Sequence, residues 1–123
     1  VLTWPATTKV FVCTRATDML CGFDTLAAQV TRFLDRDPLS GHLFEFRSRR
    51  GDRIKILFWD TDGYAHWCKR LERGTVRLPT VDPERTAGPY RVEVTADDLG
   101  LVLRGIGPAE VRRQARYRRP APS

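Results

Sequence analysis

The stretch from residue 43 to residue 71 constrains the fold most, because it runs in period two and is broken twice by turn residues. Leu43-Phe44-Glu45-Phe46-Arg47-Ser48 alternates, Arg49-Arg50-Gly51-Asp52 supplies a turn, and residues 53–60 alternate again. Asp62-Gly63 is a strong hairpin dipeptide, and residues 64–71 form a third run. Three adjacent runs joined by two tight turns predict an antiparallel meander. The run from Ile54 to Trp59 is apolar on both faces, which predicts a place inside the sheet rather than at its rim.

The flanking sequence adds helices and up to three short strands. Thr8 to Cys13 is rich in β-branched and aromatic residues and predicts a strand. The period then changes: Phe23, Leu26, Ala27, Val30, Phe33 and Leu34 lie on one stripe of a helix. Asp18 or Asp24 is the expected cap of that helix, and Asp37-Pro38 the expected stop. Gly74 predicts a turn into a short strand over Thr75–Leu78, residues 79–90 a loop, and Arg91–Val94 a last strand. Thr95 is placed to cap a final helix over 95–104, with Leu99, Val102 and Leu103 as its apolar face. The prediction is an α+β fold: a small antiparallel sheet of three to five strands, with the N-terminal helix on one face and the C-terminal helix packed beside it. Residues 1–107 read as a single domain. Residues 108–123, with five arginines and a Pro-Ala-Pro-Ser end, read as a basic tail that is disordered or a marginal helix.

Composition narrows the function classes. The net charge is +6, carried by eighteen arginines and only three lysines. Residues 1–40 balance, so the surplus lies in the middle and at the end, which suits a polyanionic partner such as DNA or RNA. An odd count of three cysteines with no C-x-x-C pair argues against a disulfide framework and for a reducing, cytoplasmic setting. Cys68 with His66 and a distant cysteine fits no common zinc spacing. No run reaches the ~18 apolar residues of a membrane span, and the first residues carry no signal-peptide pattern.

From residue 36 onward the ordered motifs Arg36-Asp37-Pro38-Leu39-Ser40-Gly41-His42-Leu43-Phe44, Phe46-Arg47, Arg49-Arg50-Gly51-Asp52, Ile54-Lys55, Trp59-Asp60, Gly63 and Lys69-Arg70-Leu71-Glu72-Arg73-Gly74 form a distinctive series. With Thr17-Asp18-Met19 and Gly22-Phe23-Asp24 upstream and Thr95 to Ile106 downstream, the chain resembles the accessory protein (TnpB, second open reading frame) of the insertion-sequence-66 family. Two positions depart from that pattern. Leu20 and Cys21 stand where the family has a basic pair, and Leu78 stands where it often has tryptophan. The resemblance implies an element-encoded bacterial protein that accompanies a separate transposase and supports DNA transposition; a non-catalytic role with no cofactor is the expectation.

Several constellations are candidates for function. Arg47, Arg49, Arg50, Arg53, Lys55, Lys69, Arg70 and Arg73 surround the first turn and the end of the third strand, and are the predicted nucleic-acid contacts; the competing reading is charge that solubilises the sheet. Phe58, Trp59, Tyr64 and Trp67 offer a stacking platform, or else cross-strand and core packing. Glu45, Asp60 and Asp62 near His66 are the only set suggesting a metal-dependent nuclease, although Asp62 is explained by the turn and Glu45 by pairing with an arginine. His42 reads as a structural residue of a turn. The leading expectation is therefore DNA binding, at element ends, through the basic hairpin surface. A module that assembles or regulates the transposase without touching DNA is the alternative. The oligomeric state is left open.

Overall fold

The computed structural model describes residues 5, 7–76, 78, 88–95 and 97–99. Its elements are β1 (Val10–Cys13), α1 (Phe23–Arg32), β2 (Leu43–Arg47), β3 (Arg53–Asp60), β4 (Gly63–Arg70) and β5 (Arg91–Val94). They build one five-stranded sheet in the order β4-β3-β2-β1-β5. β2, β3 and β4 form the expected meander, in antiparallel register from Phe44↔Leu57 to Arg53↔Arg70.

The sheet is not wholly antiparallel. β1 pairs parallel to β2, with Val10 opposite Leu43, and β5 pairs antiparallel to β1 on its far side. The parallel pair follows from α1, which lies between β1 and β2 in the chain and returns the backbone to the starting end of the sheet. The helix crosses the strands: Phe23 at its start meets His66 of β4 at 4.5 Å between centroids, and Phe33 at its end meets Tyr90 at 6.1 Å.

Each face of the sheet carries its own core. Leu26, Ala27 and Val30 of α1, with Leu34, pack on Phe11, Cys13, Phe44, Phe46 and Leu57. The opposite face joins Val10, Leu43, Ile54 and Ile56 to Leu71, Val76 and Leu99. Each such side chain contributes on the order of 1.5–3 kcal/mol through burial. Leu99 thus lies on the face opposite α1, not beside it as expected. It belongs to the helical residues Asp97–Leu99, where the Asp98 N–H donates to Thr95 Oγ1 at 3.0 Å, the predicted cap. The remainder of the 95–104 helix and the 108–123 tail lie outside the described residues.

Four local expectations are corrected. Neither Asp18 nor Asp24 caps α1; Gly22 does, with extended backbone and no side-chain bond. Asp18 instead makes its own turn, its carboxylate accepting from the Leu20 N–H at 2.9 Å. The helix stops before Asp37-Pro38, because Asp35 takes a left-handed φ of 52° and the Arg36 N–H returns to Val30 O at 3.2 Å. The β3–β4 turn centres on Thr61-Asp62, with Thr61 at φ 54° and Asp60 opposite Gly63. Finally, Thr75, Val76 and Leu78 form no strand. Val76 is pinned by its N–H donating to Gly51 O at 2.7 Å.

Candidate nucleic-acid interface

The turn after β2 begins with Ser48, whose carbonyl accepts from the Gly51 N–H at 3.0 Å, making Arg49 and Arg50 the central residues of a β-turn. Ser48 Oγ donates to Asp52 Oδ1 at 3.0 Å and accepts from the Arg53 N–H at 3.1 Å, which fixes the turn. Gly51 has φ 76°, and a Cβ there would meet Val76 O at 2.5 Å, so the segment after β4 lies directly against the turn. The Leu71 N–H donates to Asp52 O at 2.6 Å, completing this strap. The strap brings Arg73 to the end of the sheet that already carries Arg49, Arg50, Arg53 and Arg70.

The sequence-predicted basic residues therefore divide. Arg49, Arg50, Arg53, Arg70 and Arg73 are exposed at one end of the sheet, and Lys69 is half-buried on β4. Arg70 pairs with Glu72 at 2.9 Å, both largely in solvent. Arg47 and Lys55 lie inside the fold. Arg47 is 2% exposed and donates from Nε to Glu45 Oε1 at 2.8 Å, on the face opposite α1. Lys55 lies under α1 and donates to Cys21 O at 2.8 Å. Burial and these internal partners set both groups apart from the exposed arginines.

A sixth exposed arginine joins this end. Arg15 lies two residues past the end of β1, and the parallel pairing of β1 with β2 carries it to the same end as Arg49. Its guanidinium is held 4.3 Å from the Phe33 ring centroid and 5.2 Å from that of Tyr90. Stacking of this kind orders a long side chain while leaving its N–H edge available. The parallel β1–β2 pairing was the signal that would have found it. Among the described residues, Asp18, Asp52 and Glu72 lie on segments that border this end, and exposed Asp35 lies two residues past Phe33. At the opposite end lie Asp60 and Asp62 in the β3–β4 turn and Asp97 and Asp98 beyond β5, with Lys9 paired to Glu93 there at 4.0 Å.

The other constellations separate. Trp59 and Tyr64 pair edge to face at 5.1 Å on one face, whereas Phe58 and Trp67 pack into the core of the other. They form no common platform. Glu45 is buried against Arg47, Asp60 and Asp62 are exposed in a turn, and His66 packs on Phe23 from the helix side. Among the described residues no group of three or more His, Cys, Asp or Glu could hold a metal ion. His42 Nδ1 accepts from the Lys9 N–H at 3.0 Å, joining the starts of β1 and β2. No described helix is long and apolar enough to cross a membrane.

Comparison with known proteins gives two kinds of match. The profile of a family described as "IS66 Orf2 like protein" matches residues 8–113. The chain is 40% identical over 98 residues to the uncharacterized protein y4hO of Sinorhizobium fredii (strain NBRC 101917 / NGR234), covering 80% of each chain. It is 28% identical over 106 residues to the uncharacterized protein y4jC of the same strain, covering 86% of each. No solved structure matches significantly.

Proposed function

Because the chain belongs to the IS66 Orf2-like family of insertion-sequence accessory proteins, we propose that it supports transposition by binding DNA through the arginine end of its sheet. The observation that carries this reading is the set of six exposed arginines at that end: Arg15, Arg49, Arg50, Arg53, Arg70 and Arg73. Guanidinium groups on a fixed turn and strap suit the bidentate contacts that phosphates accept. They supply affinity and position, whereas reading of sequence needs contacts to base edges. The partners in this reading are the DNA of the element ends and the element's transposase, and the setting is the bacterial cytoplasm.

Salt-titrated binding of the full chain to element-end and random duplexes tests the proposal. If all six arginines touch phosphates, log affinity falls against log salt with a slope of about −5. The double variant R49E/R50E should bind at least about tenfold more weakly, with a shallower slope. Binding that is absent, or indifferent to salt and to this variant, overturns it. Co-purification with the transposase after nuclease treatment would then favour a module that acts on protein alone.

A further inference from the structure

The two edges of the sheet are built differently. β5 is four residues long, follows Pro89, and carries Arg91 and Glu93. Arg91 folds inward, donating from Nη1 to Leu34 O at 2.8 Å. Short length, charge and proline are the usual means of blunting an edge. β4 has none of these over most of its course. It runs eight residues in unbroken register with β3, without proline or bulge, and Gly63 to Cys68 carry no charged residue apart from the titratable His66. Among the described residues nothing pairs with its outer side. Alternate residues of such a strand turn N–H and C=O groups outward.

We propose that β4 is the interface for a second copy of this chain, joined antiparallel across a two-fold axis into a continuous ten-stranded sheet. The charge pattern selects the second copy and its direction. Asp62 precedes the strand, and Lys69 and Arg70 end it. Antiparallel self-pairing sets each acidic end against the other copy's basic end, whereas parallel pairing opposes like charges. The pleat requires outward-facing residues to meet one another, so the two numbers of each pair must sum to an even value. The sum that sets Asp62 opposite Arg70 also sets Gly63 opposite Lys69, Tyr64 opposite Cys68 and Ala65 opposite Trp67, with His66 on the axis. The ion pair of Arg70 with Glu72 is exposed and screened, and does not hold Arg70 from this role.

A second observation points to the same edge. Phe23 is 43% exposed, unusual for a large apolar side chain, and rests on His66 of β4. An axis through His66, normal to the sheet, sets the two helix-bearing faces on one side, with both Phe23 rings beside the axis where each copy covers the other. The arginine ends of the two copies then point in opposite directions. This proposal draws on Arg70, which the DNA-binding reading also uses, but it does not rest on that reading and is tested without nucleic acid.

Sedimentation of the full chain across micromolar concentrations at low salt is expected to show a monomer–dimer equilibrium. D62R alone and R70D alone should each weaken the dimer by about tenfold, and D62R/R70D should recover most of the loss. A folded H66C variant in a C68S background should be joined by a short thiol cross-linker, because residues opposed on one face have Cβ atoms only about 5 Å apart. Circular dichroism establishes that each variant is folded. A chain that is monomeric throughout overturns the proposal. So does a dimer insensitive to both charge reversals, or one in which folded H66C does not cross-link.

Discussion

Arg47 and Arg49 are two residues apart in the chain and have opposite fates. Arg47 ends the central strand β2, whose five residues are all buried, and it lies in the core against Glu45. Arg49 stands one residue past Ser48 in an exposed turn. A strand covered on both faces leaves no solvated side, so a charge within it must find a partner inside the protein. A charge past the strand's end meets no such demand and is available to a phosphate. One residue type thus serves as structure within the sheet and as surface at its end.

The sharpest break of this contrast is R47A. Removing Arg47 strands the Glu45 carboxylate at 0% exposure, and urea unfolding should show a loss of about 3–5 kcal/mol. Replacing both partners together, as in E45L/R47M, should cost much less or even stabilise, because the apolar pair leaves no buried charge. R49A/R50A should change stability by no more than about 0.5 kcal/mol. If R47A cost no more than R49A/R50A, the division between interior and surface arginines would be wrong. A smaller loss is expected at Lys55, whose stem packs under α1 while its ammonium holds Cys21 O. K55M keeps the stem and removes one charge-assisted hydrogen bond, costing about 1–2 kcal/mol. Hydrogen exchange should rise at residues 19–23, the segment that bond ties down.

Much of this contrast was legible in the sequence, and its limits have physical causes. The meander followed from period-two runs and turn residues, and β3 kept the predicted bounds Arg53–Asp60. Glu45 was expected to pair with an arginine, and it does. Alternation alone placed that pair on the polar side of a half-buried strand. Only the second core, built by Leu71, Val76 and Leu99 from distant segments, turned that side into interior. On the other face, α1 and the segment before it hid Lys55 in the same long-range way. Arg15 was missed for a related reason. A local window reads it as part of a polar link, and only the parallel β1–β2 pairing brings it to the arginine end. The β3–β4 turn falls on Thr61-Asp62, one residue before the Asp62-Gly63 dipeptide that marked it in the sequence.

Cys13 provides the finest test of the interior. It is fully buried in the core under α1, and burial pushes its thiol pKa up, partly opposed by the Arg15 backbone and charge and by a hydrogen bond with Thr17. In the unfolded chain the thiol ionises at its ordinary pH, while in the folded protein it keeps its proton to higher pH. Above the ordinary thiol pKa the unfolded state therefore binds fewer protons, and stability falls as pH rises, by at most about 1.4 kcal/mol per pH unit for this one group. The contribution is fully present below the unfolded pKa and is lost as pH climbs through the folded one. C13A should lower stability at neutral pH through the missing side chain, yet show a shallower decline in alkali than the parent. Unfolding curves for both proteins from neutral to alkaline pH read the difference directly. Parallel declines would mean that Cys13 is reached by solvent in the native state, and that the helix-covered face is less sealed than the face holding Glu45 and Arg47.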